Sequence, residues 1–372
     1  MKKQFQEFDQ AFKYYGGLYK NIEKANMLND VIDVGNGLIS SIRSRDNRLP
    51  DAYVNLVDEW TLNARTTKFN GKYFIGINAA AIVLLKVLFF RMLSNPKILI
   101  SYGDILKEVE SPKIHNAQIT CIEHLYLQID DLNPLHFPVP KDPARKSIAE
   151  FLSYTAIKYL ILHEYGHIVM GHLEYKNEVT NSFSFNEVFC ITDSKNQLNP
   201  LISQTLEMDA DSYATNASLS DLQIIVENMG QLPDDVKFIY KNFKESFSLW
   251  VFSIYSFFRL FGNKKDSVEQ LKTSFYPTTG MRQISMVTLI AKLYAQNGKK
   301  YTDELFQIAL QSSAQVEKSF AEISEQGIGL ESIEFAVRPE AKEHFGIVLK
   351  NWNNVRPHLE PFAKANLAPV VE

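Results

Sequence analysis

The 372-residue chain has only two cysteines, Cys121 and Cys190, far apart and in no spacing that suits a metal or redox site. This excludes a disulfide framework and fits a reducing compartment, so a cytoplasmic location is expected. No charge of one sign dominates. Lys and Arg total 39 against 43 Asp and Glu, a formal net charge of −4. With no basic cluster either, nucleic acid is not an expected partner. Long apolar runs are missing as well. Ile77–Leu85 stops at Lys86, and Phe247–Phe258 ends at Arg259. A spanning helix needs about twenty apolar residues, so both segments read as buried core helices and a membrane is not an expected partner. The opening stretch MKKQFQEFDQAFKYYGG lacks the apolar run of a signal peptide. Internal repeats and low-complexity tracts are absent.

What is present suits a globular protein: 45% hydrophobic and 22% charged residues leave ample material for a core. Lys72–Ile77 (KYFIGI) alternates like a strand, and Ile77–Leu93 then reads as a helix. Gln118–Leu127, rich in Ile, Thr and Tyr, is a second candidate strand. Asp131–Pro143 contains Pro134, Pro138, Pro140 and Pro143, which predicts a loop and the best domain boundary. A long helix is predicted from about Lys146, with apolar positions recurring at three and four through Ile148, Leu152, Thr155 and Tyr159. A second starts at Asn199-Pro200, with Asn as cap and Pro in the first turn. Further helices are expected near 221–229, 244–261, 282–296, 302–325 and 340–352. The expected fold is therefore mainly α with a small β-sheet (α+β). It divides into an N-terminal region 1–140, a core 141–300 and a helical extension 301–372.

The apolar stripe of the long helix continues into His163 and His167, within His163-Glu164-Tyr165-Gly166-His167. Four residues is just over one helical turn, so the two imidazoles stack on one face and can converge on one ion. Glu164 can then reach a water held by that ion. Imidazole nitrogens suit zinc, which tolerates mixed nitrogen and oxygen ligands. The bland alternatives are a solvated helix face or satisfied core histidines; placement on the apolar stripe argues against the first. Downstream, Glu207 and Asp211 in Leu206-Glu207-Met208-Asp209-Ala210-Asp211 are again four apart, and small Ala210 would let two helices approach closely. Glu207 can supply a carboxylate ligand, and Asp211 can accept a hydrogen bond from the outer N–H of a ligating histidine. A solvated acidic face is the competing explanation.

The segments HEYGHIVMGH (His163–His172) and EMDADSYA (Glu207–Ala214) together resemble the gluzincin metallopeptidases. The likeness is in particular to those of the CAAX prenyl endopeptidase and heat-shock membrane peptidase type. Carried over by residue, the resemblance implies zinc as cofactor, with His163, His167 and Glu207 as ligands. It makes Glu164 the catalytic base and Asp211 the partner of a ligand histidine. Phe275–Arg282 looks like a further segment of these families, with Tyr276 where they usually have His. The resemblance covers about 145–290 and implies a zincin-like core. Missing membrane helices point to a soluble relative, such as the Lit-like phage-exclusion peptidases.

A metzincin would need Gly at 170 and His at 173, where the chain has Met170 and Leu173. His172 falls nearly half a turn round the helix from His167, which favours a histidine at a helix C-terminus over a ligand. The expected activity is hydrolysis of a peptide bond in a protein or peptide substrate. Water attacks with Glu164 as base, and Tyr276 and Arg282 are candidate donors to the oxyanion. The alternatives are a catalytically silent zinc-holding relative that binds peptides, and a peptidase whose access is regulated.

Overall fold

A computed structural model describes residues 2–20, 26–114, 138–186, 198–261, 267–325 and 327–371. Cys121, Cys190, the candidate strand Gln118–Leu127 and the 131–137 part of the Pro-rich segment lie outside the described residues. The architecture is mainly helical with one small sheet.

Helices α1 (Lys2–Ala11) and α2 (Asn26–Arg45) precede strands β1 (Ala52–Val57), β2 (Ala64–Phe69) and β3 (Lys72–Asn78). A short β4 (Ser184–Asn186) completes the order β1-β3-β2-β4. β1 runs parallel to β3, while β2 is antiparallel to both β3 and β4. Asn70-Gly71 closes the β2–β3 hairpin with φ of 50° and 74°, the two positive values that a tight primed turn needs. At Gly76 a Cβ would stand 2.6 Å from the Phe12 ring, so glycine there makes room on β3 for Phe12, which follows α1. Asn36 of α2 covers the edge of β1: its amide donates to the Val54 carbonyl and accepts from the Val54 N–H.

Helix α3 (Ala79–Leu93) follows β3 directly and is buried at every position, which explains its lack of a polar face. Its Lys86 lies over the Tyr154 ring, and Arg91 donates to the Pro112 carbonyl. Among the described residues, no helix is long and apolar enough to cross a membrane.

Helix α4 (Pro143–Val169) starts three residues before the expected Lys146. Asp142 is the reason: its carboxylate accepts from the N–H groups of Ala144 and Arg145, with Pro143 in the first turn. Buried Arg145 then spends all five donors on the carbonyls of Leu93, Asn95, Ile98, Leu99 and Tyr102, tying this helix to the end of α3. Gly171, at φ 80°, ends the run and starts α5 (His172–Thr180). His172 thus begins a new helix, contrary to its expected place at a helix C-terminus, because left-handed Gly171 turns the chain before it.

Helix α6 (Pro200–Glu227) has the expected Asn199 cap and absorbs the segment near 221–229 into one continuous helix. It crosses α4 where a Cβ on Gly166 would sit 3.3 Å from Ala210 Cα. The remaining helices are α7 (Asp234–Lys237), α8 (Phe243–Leu260), α9 (Val268–Thr273), α10 (Thr279–Leu293), α11 (Lys299–Ile323), α12 (Glu331–Ala336) and α13 (Pro339–Leu359). Val54, Ile75 and Leu85 share one hydrophobic cluster with Leu152 and Ile161 of α4 and Phe247 and Phe257 of α8. The sheet region and α4 therefore bury a common core, with α4 at its centre.

Candidate metal centre

The crossing of α4 and α6 sets the site. Because Gly166 and Ala210 carry almost no side chain, the backbones come close enough for α6 side chains to reach α4 histidines. His163 and His167 lie on the face of α4 turned to α6, and their Nε2 atoms are 3.2 Å apart. Glu207 projects between them: its carboxylate oxygens lie 3.2 Å from His163 Nε2 and 3.7 Å from His167 Nε2. All three side chains are buried, and one potential ligand atom from each lies within 4.8 Å of the others.

The donor set fits a small divalent cation. A tetrahedral ion with zinc–ligand bonds near 2 Å holds its ligand atoms about 3.3 Å apart. The two Nε2 atoms stand 3.2 Å apart and one Glu207 oxygen is 3.2 Å from His163 Nε2, close to that spacing, while His167 Nε2 is 3.7 Å from the other oxygen. The Nδ1 atom of each ring is occupied on the side away from the cluster. Burial pushes the His167 pKa well below 6.5, so the ring is in the neutral form a metal needs.

Asp211, one turn beyond Glu207, holds His163 from behind, with Oδ1 2.9 Å from Nδ1. Arg282 at the start of α10 donates to both of its oxygens, from Nε at 2.8 Å and Nη2 at 2.7 Å. Burial alone would raise the Asp211 pKa. The Arg282 charge and the His163 hydrogen bond outweigh it and hold the carboxyl at about 2. The ionised carboxylate accepts from Nδ1–H of His163, which leaves the Nε2 lone pair facing the cluster. Tyr159, one turn before His163, adds its hydroxyl to the Asp211 carbonyl at 3.2 Å.

Of the residues singled out by sequence, His163, His167, Glu207, Asp211 and Arg282 are thus in one bonded group. Arg282 is placed behind the cluster, where its guanidinium also lies 4.5 Å from the Phe258 ring centre. Glu164 is buried on α4 beside His163. Tyr276 sits half-buried in the turn before α10, where Ser274 Oγ donates to its carbonyl and accepts from its N–H. Two participants carry no role in the sequence reading: Asp209, and His172 as a partner of His167. His172 Nδ1 lies 2.9 Å from His167 Nδ1, and its Nε2 lies 3.1 Å from Asp209 Oδ2. The only signal for them was their position inside the two motif segments.

Compared with known families, residues 130–231 match the model of Peptidase U49. That span is little more than a quarter of the chain. It contains α4 to α6, and with them His163, Glu164, His167, Glu207 and Asp211, but neither β1–β3 nor Arg282. No curated protein and no solved structure matches the chain.

Proposed function

We propose that the chain is a cytoplasmic zinc-dependent endopeptidase that cleaves a protein substrate. The match of the α4–α6 region to a peptidase family supports the reaction class. The observation that carries the metal is the convergence of two buried imidazole Nε2 atoms and the Glu207 carboxylate within 4.8 Å of one another. A zinc ion held there would supply Lewis acidity, polarising the scissile carbonyl and lowering the pKa of the attacking water towards ~7.

The protein's own groups do the rest. Glu164 takes the proton of the attacking water and delivers it to the leaving amine. Asp211 keeps His163 in the ligating tautomer, and Arg282 keeps Asp211 ionised and oriented. With two Arg282 donors directed at Asp211, Tyr276 becomes the better candidate to assist the oxyanion. A role in phage defence, as in the Lit-like peptidases that the motifs resemble, is the narrower form of the same reading.

Metal content by mass spectrometry of the purified full chain tests this directly. One zinc per chain, lost in Glu207→Ala and in His163→Ala, is the expected result. Glu164→Gln should keep its zinc yet hydrolyse a casein-type substrate about 10²-fold or more slowly. A wild-type chain that takes up no zinc on reconstitution would sink the proposal. Zinc without any hydrolysis that depends on Glu164 would leave a metal-holding peptide binder.

A further inference from the structure

The two facing Nε2 atoms can both be ligands only if each ring keeps its proton on the far side. For His163 the Asp211 carboxylate ensures this. His167 faces another histidine there, and an imidazole nitrogen can give or accept a proton, so the His167–His172 contact alone specifies neither tautomer. The next bond along decides. His172 Nε2 lies 3.1 Å from Asp209 Oδ2, and a carboxylate oxygen accepts, so Nε2 of His172 bears the proton. In the neutral ring its Nδ1 is then an acceptor, and His167 must donate from Nδ1 at 2.9 Å. The Nε2 lone pair of His167 is thereby turned towards His163 and Glu207.

We propose that Asp209 and His172 are positioning residues, a two-step relay that fixes the tautomer and orientation of His167 as a metal ligand. The proposal rests on the zinc reading above. Its backbone setting is specific. Gly171, at φ 80°, breaks α4 after Val169 so that His172 folds back on His167, with ring centres 5.1 Å apart. A side chain at Gly171 would collide with Phe362 and Ala363, which close over the turn. Asp209 comes from the α6 turn between Glu207 and Asp211. One helix thus supplies the ligand carboxylate and the carboxylates that end both second bonds. His172 is fully buried, and both its nitrogens are turned to His167 and Asp209, which sets it behind the cluster and outside the ligand set.

Asp209 also lines a cavity of about 440 Å³ with Met208, Ser212, Leu289 and Trp352, which gives a small anion a way to its position. The test is zinc affinity of the full chain, measured by competition with a chromophoric chelator. His172→Leu and Asp209→Ala should each bind Zn²⁺ about 10- to 100-fold more weakly than wild type. His172→Gln, whose side-chain carbonyl accepts from His167 Nδ1–H, should recover most of the loss. Formate should restore Asp209→Ala by entering through the cavity, a response that a mere packing defect would not give. If His172→Leu does not fold, Asp209→Ala with and without formate decides alone. Unchanged zinc affinity in Asp209→Ala, or a loss that formate does not touch, overturns the relay while the zinc-loaded wild type keeps the peptidase reading intact. A wild-type chain without zinc overturns both.

Discussion

The Arg259–Glu317 and Arg282–Asp211 pairs are both buried arginine–carboxylate networks, and they differ in where their bonds end. In the first, Glu317 on α11 accepts from Arg259 Nε at 2.9 Å and from the Tyr255 hydroxyl at 2.7 Å through one oxygen. Its other oxygen accepts from the Gly329 N–H at 3.1 Å. Those bonds tie α8, α11 and the segment before α12 to one another. In the second, Asp211 accepts from Arg282 and from Nδ1–H of His163, whose other nitrogen faces His167 and Glu207. An equally buried ion pair ties helices together in one place and orients a histidine of the cluster in the other. Burial and charge alone therefore do not mark a site; a hydrogen-bond chain that ends on converging lone pairs does.

The sharpest way to break the comparison is Glu317→Ala. It leaves Arg259 buried without its carboxylate and should cost about 3–5 kcal/mol of stability. The zinc affinity of the folded fraction should stay as in wild type. Urea unfolding alongside chelator competition reads both, and a weakened zinc site would mean that the first network also serves the cluster. Next in size, Asp211→Asn keeps the shape of the side chain but removes its charge. Zinc should bind about 10- to 100-fold more weakly; unaltered binding would make Asp211 as purely cohesive as Glu317.

The smallest effect is in acid. Asp211 titrates at about 2 in the folded chain against an ordinary 3.8. A depressed carboxylate contributes stability that is complete above the ordinary value and lost as pH falls towards the folded one. Metal-free wild type should accordingly lose more stability between pH 4 and 2 than Asp211→Asn does. Parallel slopes in thermal melts across that window would remove the Arg282–Asp211 pair from the acid response.

Much of the fold was legible because it is written in local signals. Asn199-Pro200 starts α6 as cap and first turn, KYFIGI forms β3, and the apolar stripe of α4 runs into His163 and His167. Other features were not. Asp142 as cap moved the start of α4, because the proline signal that marked a loop also marks a first helical turn. The buried α3 and the 159–169 half of α4 show no polar face, since α3 is covered by α4, α11 and the sheet region and α4 by α3, α6 and α8. Arg282 was singled out as a candidate oxyanion donor, but an arginine in a motif can point at substrate or at a carboxylate, and only packing places it on Asp211.

By itself the sequence determined the spacing of the candidate ligands. Residues four apart on a helix share a face whatever surrounds them, so the pairs His163/His167 and Glu207/Asp211 were set by helix geometry. Tertiary structure decided which nitrogen of each histidine is available. That choice belongs to hydrogen-bond partners brought from a distance: Asp211 from α6, Arg282 from α10, and His172 across the Gly171 turn with Asp209 behind it. A tautomer has no local sequence code, because the imidazole alone holds both forms within a small energy of each other and the partner on the far side selects one.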